Sequence, residues 1–352
     1  MAGMRKAAIW AGFETLYFSG AHRLARQFLA GFGAILTFHR VKPPDGGLFQ
    51  PNRSLEITPE FLEDVIVSLR DAGIDIVSLD EVHRRIAAGE GERRFVALTF
   101  DDGYRDNFEF AWPILKRYEA PFTLFVPSAF ADGRGELWWV AIEKAIARHP
   151  SIEVEMDGVE RVFDCATPHA KQATFDTIYA WLRSRPTWDE VMRPVREIAF
   201  GYGVDMERQC RELCMGWDEI AEMAKHPLTT VGGHTVTHPI LAKLPEEAVR
   251  AEMSDGASRI EEKLGVRPVH FSYPVGSTDA AGAREFGLAA DLGFKTAVTT
   301  RPGVLYADHA RHFNALPRLS VNGHFQRRRY LDVLLSGAPT ALMNGFRRVD
   351  AA

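Results

Sequence analysis

The sequence predicts an α/β fold: a distorted β/α barrel of about seven parallel strands, interrupted by a helical insertion. Three observations lead there. Short apolar, β-branched segments recur along the chain, capped helical patterns separate them, and one long central stretch breaks the alternation. Strands that alternate with helices imply parallel pairing. Seven strand candidates suit a small closed barrel better than an open sheet. In such barrels the chemistry sits at the carboxyl ends of the strands.

The strand candidates are residues 34–41, 95–100, 122–126, 228–231, 269–273, 295–299 and 316–321. Thr58-Pro59 is an N-cap followed by proline at the first helical position, and it opens a helix to about Asp71. Ser78-Leu-Asp-Glu81 is a capping box for the next helix. Between Pro245 and Leu264 the residues Val249, Met253, Ala257, Ile260 and Leu264 share a face, and Gly265 is the stop. Residues 129–227 read mostly helical, in segments 136–148, 168–183, 187–200 and 217–225. This stretch holds Trp138, Trp139, Trp181, Trp188 and Trp217, five of the seven tryptophans. Indole rings stack on sugars, but they also fill cores, and the core is the preferred reading for most of them. Adjacent residues do not face the same way on a helix, so one of Trp138 and Trp139 is expected to line a cleft. The expected division is an N-terminal helical segment (1–32), the barrel (33–322) with its insertion (129–227), and a C-terminal helix and tail (323–352). There are no internal repeats.

With 352 residues, 46% of them hydrophobic and 25% charged, a sizeable core is available. The net charge of -5 argues against a nucleic-acid binder. Cys165, Cys210 and Cys214 are too few for a disulfide framework. Cys210 and Cys214 lack a second pair for a metal site and read as free thiols. The segment Met4-Arg-Lys-Ala-Ala-Ile-Trp-Ala-Gly-Phe13 begins like a signal peptide, but Glu14 ends its apolar run early. No stretch approaches the ~20 apolar residues of a transmembrane helix. Residues 5–31 have two readings: an amphipathic helix lying on a membrane surface, or a helix packed on the domain, which is preferred. The expected location is cytoplasmic, with membrane association as the alternative. The oligomeric state is not legible.

Two adjacent carboxylates and two spaced histidines stand out. Asp101 and Asp102 end the run Phe95-Val-Ala-Leu-Thr-Phe100 and precede Gly103. His234 and His238 lie in Gly232-Gly-His-Thr-Val-Thr-His-Pro239. Each element alone is common in chains of this size. Together, a carboxylate and two imidazoles form a three-ligand set for a divalent metal with open positions. The remaining carboxylate is then free to act as a base.

Leu98-Thr-Phe-Asp-Asp-Gly-Tyr104 resembles the first motif of the polysaccharide deacetylase family, the carbohydrate esterases of the NodB-homology type. Gly233-His-Thr-Val-Thr-His-Pro239 resembles the second motif, and Arg267-Pro-Val-His-Phe-Ser-Tyr-Pro-Val-Gly276 the third. The three come in the family's order and together span about half of the chain. The resemblance implies a metal-dependent N-deacetylase on a distorted β/α barrel. By it Asp102, His234 and His238 bind the metal, usually zinc, and Asp101 is the general base. The backbone N–H of Val275 meets the oxyanion, and Tyr104, Tyr273 and Pro274 join the substrate cleft.

Three departures from the family pattern follow. The late Leu-x-His that usually supplies the acid is missing after residue 322. Instead Ile35-Leu-Thr-Phe-His-Arg-Val41 resembles a segment of deacetylases acting on exopolysaccharides, whose barrel is circularly permuted. This makes His39 the expected general acid, against a histidine that only orders a loop. Ser272 stands where many relatives hold the base with an arginine. Arg318, in Leu316-Pro-Arg-Leu-Ser-Val321, is the candidate substitute, against an ordinary surface ion pair. Val275 replaces the more usual aromatic.

The expected function is removal of acetyl from N-acetylhexosamine units of a polysaccharide or glycan precursor. Three rivals remain: a nodulation-type chitooligosaccharide deacetylase, an amidase on non-sugar amides, and an inactive glycan-binding module. Binding alone needs no base beside a ligand set, which counts against the last.

Overall fold

Seven parallel strands close into a barrel in the computed structural model, which describes residues 2–351. In chain order they are β1 (Gly33–Phe38), β2 (Phe95–Phe100), β3 (Phe122–Val126), β4 (Thr229–Gly233), β5 (His270–Ser272), β6 (Thr296–Pro302) and β7 (Leu316–Ser320). Neighbours run β1-β7-β6-β5-β4-β3-β2, and β1 pairs with β2 to close the ring. Closure is by register: Leu36 lies opposite Leu319 on one side and Leu98 on the other. A short strand, Asp75–Ile76, pairs with the start of β2, and β3 takes over that side from Leu98 onward.

β1, β2 and β3 are buried at every position. That is the pattern of parallel strands covered on both faces. Alternate residues go to different places. Val96, Leu98 and Phe100 pack with the surrounding helices, together with Leu62, Ile66 and Leu115. Phe95 and Ala97 join a separate cluster with Ile35, Phe125, Val298 and Leu316.

The crossovers start where their caps predict. Thr58 Oγ1 accepts from the Phe61 N–H at 3.2 Å and opens helix Pro59–Asp71. Ser78 Oγ does the same for Glu81 at the head of Leu79–Ala88. Helix Glu246–Leu264 ends at Gly265 in the left-handed conformation, φ 76°.

Between β3 and β4 lies the long insertion, whose apolar residues form a cluster of their own around Trp138, Ile142, Phe175, Ile178 and Val195. It contains helices Trp138–Arg148, Pro168–Ser184, Trp188–Gly201, Met206–Leu213 and Trp217–Ala224. A mostly helical reading omits one feature, the antiparallel hairpin of Ser151–Met156 and Val159–Asp164. Its first strand alternates exposed and buried residues, and its turn is Asp157-Gly158 with φ of 56° and 78°. Two consecutive positive φ values are what a tight hairpin turn requires, and Asp-Gly supplies them cheaply.

Residues 5–31 do not form one helix. Helices Ala2–Phe18 and Ala21–Leu29 break at Gly20, φ 73°. The first packs on the C-terminal helix Arg328–Leu335, and the second on that helix and on Ala338–Met343. Phe13 sits 5.4 Å from the rings of Phe325 and Tyr330, and Arg329 donates to Glu14 at 2.5 Å. Gly337 abuts the Leu29 carbonyl so closely that no side chain would fit. No described helix is long and apolar enough to cross a membrane. All three cysteines are buried and free.

Candidate active site

The carboxyl ends of the strands converge on a cavity of about 380 Å³. His39 follows β1, Asp101 and Asp102 follow β2, His234 and His238 follow β4, and Val275 follows β5; all six border it. Arg318 rises from β7 behind Asp101 and is 1% exposed, so it is no surface ion pair. Its guanidinium is fully committed. Nη1 and Nη2 donate to Asp101 Oδ1 and Oδ2 at 2.8 and 2.6 Å. The same two nitrogens reach Thr99 Oγ1 (3.1 Å) and Ser272 Oγ (3.0 Å), and Nε reaches the Thr299 carbonyl (2.8 Å). Asp101 is thus gripped by a planar fork whose remaining donors are anchored on three other strands. Burial alone would raise the Asp101 carboxyl, but the Arg318 charge and hydrogen bonds outweigh it and hold it below the usual carboxylate range. Ser272, in the place of the family's arginine, approaches Asp101 Oδ2 only at 3.3 Å.

Asp102, His234 and His238 offer ligand atoms within 4.8 Å of one another, all buried. Asp102 Oδ1 lies 3.4 Å from His234 Nε2 and 3.2 Å from His238 Nε2, and it has no hydrogen-bond partner. A buried carboxylate oxygen without a donor is costly, and a cation shared with the two imidazoles would satisfy it. The donor set therefore fits a divalent metal. His234 Nδ1 is 2.6 Å from the Ser272 carbonyl. That contact makes Nδ1 the protonated nitrogen and leaves the Nε2 lone pair facing Asp102.

The loop carrying the histidines is braced from outside. Glu252, on helix Glu246–Leu264, accepts from the Val236 and Thr237 N–H groups at 2.8 and 2.9 Å. One turn on, Gly256 lets that helix lie directly on the Thr235 backbone; a Cβ there would come within 2.7 Å.

Among the described residues seven non-glycine positions have positive φ, and four belong to this site: Asp102 (71°), Thr235 (68°), His238 (61°) and Val275 (63°). For β-branched Thr235 and Val275 this backbone is disfavoured. Strain gathered at one place is maintained by the surrounding structure, and functional sites are where it usually gathers.

His39 is half-buried in the cavity wall. Its desolvation lowers the imidazole below the usual histidine range, against the opposing pull of Asp102 and Asp101. Another part of the wall belongs to the insertion. Trp138, Trp139, Phe175, Asp176 and Tyr179 line it, and Pro51, Asn52, Ser54 and Leu55 border the cavity beside them. The Tyr179 ring stacks on Trp138 (5.1 Å) and Phe175 (5.7 Å). Asn52 Nδ2 ties its own segment to the wall by donating to Glu143 Oε2 at 2.8 Å and the Trp139 carbonyl at 3.2 Å.

Several expectations change. Both Trp138 and Trp139 border the cavity, not one of them, because they form the end turn of a helix that points at it. Tyr104 lies behind the cavity, fully buried; its hydroxyl accepts from Trp139 Nε1 at 3.1 Å and its ring lies under Arg40. Tyr273 points away into the core, its hydroxyl donating to the Asn314 carbonyl at 2.7 Å. Pro274 is buried in the turn and does not border the cavity; only Val275 of that segment does. Phe175, Asp176, Tyr179 and Asn52 carry no motif that would single them out in the sequence.

The sequence model of the polysaccharide deacetylase family matches residues 88–297, more than half of the chain. YxkH of Bacillus subtilis (strain 168) is 21% identical over 270 residues, which are 76% of this chain and 67% of that protein. Among solved structures, the Streptococcus pyogenes deacetylase PplD in complex with acetate is similar at a TM-score of 0.57 and 19% identity, over 86% of this chain and 97% of that one. IcaB from Ammonifex degensii follows at 0.53 and 19%, over 87% and 96%. At these identities the two structures speak for the fold.

Proposed function

The chain belongs to the polysaccharide deacetylase family and is a deacetylase hydrolase, and from that premise we propose that it is a zinc-dependent enzyme removing N-acetyl groups from N-acetylhexosamine units of an exopolysaccharide or glycan precursor. The observation that carries this reading is the pairing of an Arg318-held Asp101 with a partnerless Asp102 oxygen between two imidazoles. A structural ion pair would not need the second carboxylate, and a glycan-binding pocket would not need the first.

Asp102, His234 and His238 would hold the metal. Bound there, a divalent cation supplies a Lewis acid that lowers the pKa of water and polarises an amide carbonyl. The chain's own residues do the rest. Asp101, kept ionised by Arg318, takes the proton of the attacking water. The Val275 N–H is the donor assigned to the developing oxyanion. His39, which follows β1 beside Asp101, gives a proton to the leaving amine in its imidazolium form, which the Asp102 and Asp101 carboxylates favour against the desolvation. The stacked Tyr179, Trp138 and Phe175 supply an apolar wall for a sugar ring.

Acetate release from N-acetylglucosamine oligomers, measured with and without added zinc, tests the proposal. Asp101→Asn is expected to lower the zinc-dependent rate by about 10²–10⁴-fold, the range of a lost general base. Undiminished release by that variant refutes the base assignment. Absence of metal-dependent release from every acetylated glycan tried refutes the function. The wall has its own test. Tyr179→Ala should raise KM about fivefold while kcat stays within a factor of two, as loss of one stacking contact would; an unchanged KM removes Tyr179 from substrate binding.

A further inference from the structure

The exposed apolar side chains of this protein are not scattered. Of the fourteen large hydrophobic residues that stand exposed among the described residues, eight belong to the two terminal segments, 1–31 and 323–352. These make up only about a sixth of the chain. On the N-terminal pair of helices Phe18 is 74% exposed, Leu24 68% and Phe28 74%. Leu24 and Phe28 stand four apart and share a face. At the other terminus Leu342, Met343 and Phe346 are 62–65% exposed. The two groups are structurally joined, because helix Ala338–Met343 packs on helix Ala21–Leu29, with Gly337 pressed against the Leu29 carbonyl.

Charge follows the same division. The terminal segments carry nine Lys and Arg against three Asp and Glu, a balance of +6 in a chain of net -5. The remainder, residues 32–322, therefore holds -11. Arg23 and Arg347 are exposed beside Leu24 and Phe346. Two termini have thus folded into one unit that is apolar on its outside and basic, on a body that is acidic.

We propose that this terminal unit is a docking surface for an anionic lipid bilayer. Aromatic and leucine side chains enter the headgroup boundary, and the arginines meet lipid phosphates and carboxylates. The charge selects this occupant over a second copy of the chain. A two-fold dimer through this face would set +6 against +6, and like charges across an interface repel. The acidic body is repelled by the same lipids, which turns the terminal unit toward the bilayer. The surface is independent of the hydrolytic chemistry.

Flotation of the full chain with vesicles tests it, using phosphatidylcholine alone and phosphatidylcholine with phosphatidylglycerol. The chain should float with the anionic vesicles, and added salt should release it. The pairs Leu24→Glu/Phe28→Glu and Leu342→Glu/Phe346→Glu should each reduce binding about tenfold or more. Both pairs alter exposed side chains, so circular dichroism and acetate release from a soluble oligomer should be unchanged. No flotation with anionic vesicles, or equal binding by the variants, overturns the proposal. So does sedimentation as a dimer that these substitutions convert to a monomer, which would make the face a self-association surface.

Discussion

Arg318→Met is expected to cut turnover by roughly 10²–10³-fold with KM little changed, because it strips Asp101, the proposed base, of its counter-ion. The side chain is nearly isosteric along its stem, yet all five of the guanidinium contacts vanish. Asp101 is then left buried with Ser272 Oγ, at 3.3 Å, as its remaining donor. Desolvation, previously outweighed, pushes the carboxyl upward. The group spends more of its time protonated, and a protonated carboxyl cannot take a proton from water. Removing one partner of a buried pair also costs on the order of 3–5 kcal/mol of stability, so the thermal midpoint should fall. The split between kcat and KM separates the two effects, since a merely loosened fold would weaken substrate binding as well. Near-normal turnover in a folded variant would remove Arg318 from the chemistry.

The second large effect concerns the metal. Adding zinc to chelator-treated protein is expected to raise the thermal midpoint, since a ligand present at about a thousand times its Kd stabilises by about 4 kcal/mol. Asp102→Asn should abolish that shift and lower zinc affinity by more than about a hundredfold; losses of 10–100-fold already follow from removing groups that merely support a ligand. Asparagine is well chosen here. Asp102 holds a φ of 71°, a conformation asparagine tolerates about as well as aspartate, so the turn should survive. Titration calorimetry reads the affinity directly, without reference to activity. An undiminished zinc shift in the variant would move the metal elsewhere.

Much of the barrel is legible in the sequence because parallel strands buried on both faces are continuous apolar runs. All seven candidate runs coincide with barrel strands, with ends shifted by a few residues. Ends shift because strand termination depends on neighbours, as where His39 leaves β1 and Arg40–Val41 pairs with Glu56–Ile57. The centre of the site is legible for a different reason: Asp101, Asp102, His234 and His238 are short-range motifs. His39 and Arg318 lie outside the stretch matched by the family, residues 88–297. Only the closure of the ring brings them to Asp101, and that is a long-range fact. The cavity wall proposed to meet substrate is the least legible part. Phe175 and Tyr179 read as one face of an amphipathic helix, and nothing local says that this face meets a cavity rather than a core. Tyr104 and Tyr273 fail as cleft residues for the converse reason. Adjacency to a motif says nothing about direction, and both side chains point into packed interior.

The ring is sealed by β1, which sits between β2 and β7, and its Leu36 meets Leu319 across 283 positions of sequence. During synthesis β1 leaves the ribosome early and can pair with β2 soon after. Its other edge must then wait, unpaired, until nearly the whole chain has been translated. An open apolar strand edge invites pairing with foreign chains, and contacts this distant in sequence form slowly. The same delay has a benefit. Asp101 acquires its arginine only when β7 docks, so a nascent or truncated chain would carry Asp102, His234 and His238 before the proposed base is held.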